Sequence, residues 1–146
     1  MVTSKIVSKY EGALPSDSGN WRGRKIPDGP LYATGDVLEV LNLGDNAIRA
    51  WTKKCSRDVQ NLSLDADDLC ELVRIALHSG QFKGSEWCEQ KSFGPWAACD
   101  AYSLTRNEWV PATRREITFE YYVKFAIAKS GNLLLMASCH LPEDRY

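Results

Sequence analysis

A chain of 146 residues with 44% hydrophobic residues carries enough apolar surface for one core and too little for two full domains. Its formal charge of −1 gives no general pull toward nucleic acid, so any such binding must come from a local patch. No run approaches bilayer length and the N-terminus lacks the apolar block of a signal peptide, which predicts no membrane contact and a cytoplasmic location. The five cysteines form an odd set with no Cys-x-x-Cys pair, a pattern that fits reduced, mostly buried thiols better than zinc ligation or a disulfide framework. No metal or cofactor is expected.

Residues 1–30 mix Gly12, Pro15, Gly19, Gly23, Pro27, Gly29 and Pro30 with Ser, Asp and basic residues, and read as an irregular arm ahead of a single domain over residues 31–146. In the arm, Trp21 with Arg22, Arg24 and Lys25 either contacts RNA or a partner, or tucks the arm onto the domain.

From Thr34 the pattern turns helical. Val37, Val40 and Leu41 recur at helix spacing behind Thr34 or Asp36 as cap, and Gly44 ends the segment. A second helix is predicted from Asp45, with Ala47, Ile48, Trp51 and Cys55 as its stripe and Arg49, Lys53 and Lys54 on other faces. The two together look like a helix-turn-helix, which leaves open a non-catalytic regulator that binds DNA or protein through residues 36–55. The third helix is the clearest. Asp65 caps it, Asp67 and Asp68 sit where the helix dipole favours negative charge, Leu69, Leu72, Val73, Ala76 and Leu77 make the stripe, and Gly80 lies past its end.

Residues 81–95, rich in Trp, Phe and Lys, read as a loop or poor edge strand. Trp96 to Leu104 alternates as a strand, Arg106-Asn107-Glu108 reads as a turn, and Ile117–Lys129 with Leu133–Leu141 flanks a Ser-Gly-Asn break as a hairpin. Helices first and strands later predict an α+β fold with N-terminal helices on a twisted, mainly antiparallel sheet. A three-residue loop would pair Lys129 with Leu133, Lys124 with Ser138 and Tyr122 with His140, gathering an amine, a hydroxyl, a phenol and an imidazole on one face. A two-residue loop would slip the register and turn Ser138 and His140 to the Tyr121/Val123 face.

In order and rough spacing, Leu62-Ser-Leu-Asp65, Leu69-Cys70, Phe82-Lys83-x-Ser85, Asp100-Ala-Tyr102, Tyr122-Val-Lys124 and Leu134-Leu-Met-Ala-Ser138 resemble the motility quorum-sensing regulator (MqsR) family of bacterial toxins. The resemblance covers residues 34–141. It implies a RelE-like α+β fold, metal-independent cleavage of single-stranded messenger RNA that inhibits translation, and a cognate antitoxin that also contacts operator DNA. The family's Tyr-x-Lys tyrosine falls on Tyr122 and its first functional lysine near Lys83. Its last functional lysine is replaced here by His140, and its glutamine before Asp-x-Tyr by Cys99.

The residue types suit that chemistry. RNA cleavage without a metal needs a base for the 2′-hydroxyl proton, a cation for the charge developing on phosphorus and an acid for the leaving 5′-oxygen. Tyr122 and His140 exchange protons, histidine readily near neutral pH; Lys83, Lys124, Arg114 and Arg115 carry charge, and Ser138 offers a hydrogen bond. Trp87, Phe93 and Trp96 are the aromatics available to stack bases. The plainer alternatives are that Tyr122 and Lys124 belong to a solvated sheet face, that His140 only ends a strand, and that the tryptophans are core.

Overall fold

The computed structural model describes residues 5–15 and 24–142. Nine named elements follow one another: β1 Lys25–Ile26, α1 Thr34–Leu41, β2 Ile48–Ala50, α2 Lys53–Asn61, α3 Ala66–Ser79, β3 Gln81–Glu89, β4 Trp96–Val110, β5 Arg115–Ile127 and β6 Leu134–His140. The strands form one six-stranded sheet in the order β1-β3-β4-β5-β6-β2, antiparallel except where β2 lies parallel to β6. The fold is α+β with a mixed sheet.

Residues directly opposite in an antiparallel pair share a face, so the register sorts every side chain. Tyr102, Leu104, Tyr121, Val123, Phe125 and Cys139 fall on one face and join Leu69, Leu72, Val73 and Ala76 of α3 in the main core. The clear helix is the one its charges specify: Asp65 accepts from Asp68 N and Asp68 from Asp65 N, a capping box, and the stripe behind it is buried except for half-buried Leu77. Burying Phe125, 1% exposed, contributes about 1.5–3 kcal/mol.

Four readings of the sequence are corrected. Thr34 and Asp36 do not cap α1; Ala33 occupies the N-cap, with no side-chain hydrogen bond. The helix expected from Asp45 does not form: Asp45–Ala47 is a short 3-10 turn, Ile48–Ala50 is β2, and a new helix begins at Lys53 behind a Thr52 cap that accepts from Cys55 N. Pairing of Ile48, Arg49 and Ala50 with Leu134, Leu135 and Met136 outweighs a stripe whose spacing also suits a helix, and no helix-turn-helix results. Residues 81–89 form a full strand between β1 and β4. Arg106-Asn107-Glu108 is not a turn but the continuation of β4, paired with Phe119, Thr118 and Ile117; the chain reverses after Val110 instead. Arg106 is held there by Asp68 at 3.1 Å and Glu108 at 2.9 Å, and lies over the Tyr121 ring.

The described part of the N-terminal arm is tied to the sheet. Ile6 bridges Trp96, Ser8 bridges Ala128, and Lys25–Ile26 pairs with Glu86 and Ser85. Asp100, fully buried, fixes the segment entering α1, accepting from Leu31 N, Tyr32 N and the Ser85 hydroxyl at 2.6–3.1 Å. Trp21 and Arg22 lie outside the described residues.

Candidate functional site

The face of the sheet turned away from the helices carries Gln81, Gly84, Glu86 and Cys88 of β3, Cys99, Ala101 and Ser103 of β4, Tyr122 and Lys124 of β5, and Ser138 and His140 of β6. β3 and β6 stop at the row Gln81–Ser103–Tyr122–His140. Beyond it β4 and β5 run on as a two-stranded hairpin, so Tyr122 and His140 stand at the border of the sheet.

Tyr122 is paired with His140 and Lys124 with Ser138, as the three-residue loop predicts, but the loop is not the cause. Near the turn Ile127 pairs with Leu134 and Ala128 N donates to Leu133 O, the slipped register, so Lys129 does not pair with Leu133. A bulge at Ala137 then absorbs one residue of β6 and returns Ser138 and His140 to the Tyr122/Lys124 face. Thr52 holds the bulge by donating its hydroxyl to Ala137 O at 3.0 Å, while also capping α2.

The rings of Tyr122 and His140 stack with centroids 5.2 Å apart and planes 28° apart. His140 Nδ1 lies 2.7 Å from the carbonyl oxygen of Leu141. A carbonyl only accepts, so Nδ1 carries the proton and, in the neutral ring, Nε2 keeps the lone pair that can take one. Burial raises the Tyr122 phenol above its ordinary value, with Glu86 adding to the shift and Lys124 opposing it, so the hydroxyl stays protonated at neutral pH. The Lys124 ammonium sits 5.8 Å from the centre of the Tyr122 ring and 2.7 Å from Glu86. Burial pulls Lys124 down, but the neighbouring Cys88 and the hydrogen-bonded ion pair with Glu86 outweigh it and hold the ammonium charged.

Beside Lys124 the two thiols of the face differ. Hydrogen bonding with Cys99 is the largest influence lowering Cys88, against burial and with help from Lys124; Cys99 is raised well above the ordinary thiol range by burial and then by Cys88. Cys88 is the half-buried member of the five free cysteines, the other four being buried. Among the described residues no group of three or more His, Cys, Asp or Glu is placed to hold a metal ion.

Tyr122, His140, Lys124 and Ser138 are therefore brought together. Lys83 occupies the bulge between Phe82 and Gly84, exposed, level with the Tyr122–Lys124 stretch and separated from it by β4, about 10 Å across the sheet. Arg114 and Arg115 are not brought in: they lie at the far turn of the hairpin, with Arg115 seven residues before Tyr122 on β5, or about 23 Å. Trp87 and Trp96, offered above as stacking platforms, are 3% and 4% exposed and belong to a second core cluster, whereas Phe93 is 79% exposed. Glu86, the partner of Lys124, is not marked by any motif in the sequence, because its place depends on the β3–β4 register. Alternation through Gly84, Glu86 and Cys88 was its only local signal.

No family model, curated protein or solved structure matches this chain. Among the described residues no helix is long and apolar enough to cross a membrane.

Proposed function

We propose that this protein is a toxin endoribonuclease of the MqsR and RelE-like type, cleaving single-stranded messenger RNA in the cytoplasm without a metal and restrained by a cognate antitoxin, through which operator DNA is contacted. The observation that carries the reading is the Tyr122–His140 stack with its complementary proton inventory: an imidazole whose Nε2 is free to accept and a phenol that keeps its proton.

In this reading His140 Nε2 removes the 2′-hydroxyl proton, the 2′-oxygen attacks the adjacent phosphorus, and Tyr122 protonates the departing 5′-oxygen. The products are a 2′,3′-cyclic phosphate and a 5′-hydroxyl end. Lys83, which makes no ion pair among the described residues, supplies charge to the phosphorane from the neighbouring bulge. Lys124 holds Tyr122 in place and favours anion approach. DNA lacks the nucleophile and is left intact.

The test is incubation of a long single-stranded RNA with purified protein in excess EDTA, beside the matching DNA strand and the His140→Ala protein. Cutting of RNA alone, lost in the variant, supports the reading. Parental cutting by His140→Ala removes that residue from the mechanism, and intact RNA throughout favours a binding role.

A further inference from the structure

We infer that the cleft next to the Tyr122–His140 pair is a phosphate-binding subsite for a nucleotide flanking the scissile bond; the inference rests on the RNA-cleaving reading above. The cleft has a volume of about 340 Å³, in the range of small-ligand pockets. Glu86, Cys88, Lys124 and Ser138 form its sheet side, and Thr52, Lys53 and Lys54, where the chain enters α2, line it from the β6 side. Arg24, from the segment leading into β1, completes its cationic lining.

The charge arrangement favours an anion. Arg24, Lys53, Lys54 and Lys124 line the cleft against Glu86 and Glu89, an excess of two positive charges. Both carboxylates are engaged: Glu86 meets Lys124 at 2.7 Å, and Glu89 meets Arg24 at 2.6 Å and accepts from Phe93 N at 3.0 Å. Lys54 is shared with Asp58 at 2.9 Å, whereas Lys53 makes no ion pair among the described residues. Phosphodiester oxygens would meet the ammonium groups of exposed Lys53 and Lys54 and the Ser138 hydroxyl, a contact that fixes the strand without reading its sequence.

Continuity with the candidate active site selects RNA as the occupant. Lys124 both lines the cleft and lies over the Tyr122 ring, so a strand whose reacting phosphate sits at the pair has a neighbouring phosphate at the cleft mouth. The side chain of Thr52 takes no part in this, since it is committed to Cys55 N and Ala137 O.

The experiment measures binding separately from cleavage, using a fluorescent 2′-O-methyl RNA oligonucleotide, which lacks the nucleophile, in anisotropy titrations over a range of salt. The parental protein is compared with Lys53→Ala/Lys54→Ala and with Lys129→Ala, an exposed lysine paired with Glu11 away from the cleft. The double variant is expected to bind about tenfold more weakly near physiological salt, with a salt slope smaller by about 1.4, the value for two lost single-strand contacts. Lys129→Ala is expected to bind within about twofold of the parent. Unchanged affinity and slope in the double variant overturn the subsite, as does an equal loss in Lys129→Ala. If the parental protein binds in this lysine-dependent way yet cuts no RNA, the nuclease reading fails and, with it, the flanking-nucleotide role, while the cleft stands as a site that binds RNA phosphate.

Discussion

Tyr122 and His140 face each other across β5 and β6 with ring centroids 5.2 Å apart, although the turn between their strands is set in the opposite register. The Ala137 bulge reconciles the two. Deleting Ala137 closes the bulge and lets the ladder continue from the Phe125–Met136 pair, so Ser138 should still meet Lys124 and His140 should still meet Tyr122, with only the Thr52 bond to Ala137 O lost. Thermal melts should show a loss of about 1 kcal/mol from the missing Thr52 bond, and RNA cleavage should persist because the Tyr122–His140 pair is kept. A deletion protein that keeps its stability yet cuts no RNA would show that the site needs the bulge itself and not only the pairing of Tyr122 with His140.

Tyr122→Phe keeps the ring stack and removes only the hydroxyl. Stability should change by less than about 1 kcal/mol, whereas cleavage should fall by about 10²–10⁴ if the phenol is the acid. Single-turnover rates on a short RNA measure this directly, and a variant that cuts at the parental rate would assign the proton to another group.

Asp100 is fully buried and accepts from two backbone amides and a hydroxyl. Asp100→Ala orphans all three donors and should destabilise by about 3–5 kcal/mol in denaturant melts, far more than an average surface change. The first protection lost in hydrogen exchange should be at Leu31 and Tyr32, whose amides it holds.

Alkylation separates the thiols. Hydrogen bonding with Cys99, assisted by Lys124, lowers Cys88, so its iodoacetamide rate should reach half-maximum below the ordinary thiol value of about 8.5. Burial pushes Cys55 and Cys139 up to about 12, and they should stay unlabelled in the folded protein. Lys124→Met removes the nearby ammonium and should move the Cys88 midpoint upward, read by mass spectrometry of labelled peptides across pH.

Asp68 gives a pH-dependent contribution. Partial burial raises its carboxyl, but the Asp65 amide and the Arg106 guanidinium outweigh this and bring it below the ordinary carboxylate value. A depressed folded-state pKa means that the stabilisation is present above the unfolded value of about 3.9 and is lost as pH falls through the folded one. Asp68→Asn should therefore lower stability at neutral pH by about 1 kcal/mol, after allowance for solvent screening, and the gap to the parent should close in acid.

By itself the sequence determined the α+β class, the capped helix over residues 66–79 and the alternation that separates Phe125 and Val123 from Tyr122 and Lys124, because these depend on periods and caps within a few residues. The choice of strand for Ile48–Ala50 came from pairing with Leu134–Met136, a partner more than eighty residues away that local spacing does not reveal. The same holds for Arg106, kept in β4 by Asp68 of a distant helix. At the site, the sequence supplied the phenol, imidazole, amine and hydroxyl. Only the tertiary structure decided that they meet, through a bulge whose carbonyl is held by Thr52, that Glu86 holds Lys124, and that Arg114 and Arg115 stay at the far end of the hairpin. The physical reason is that side-chain direction along a strand is local, whereas register is fixed by every contact the two strands make with the rest of the fold.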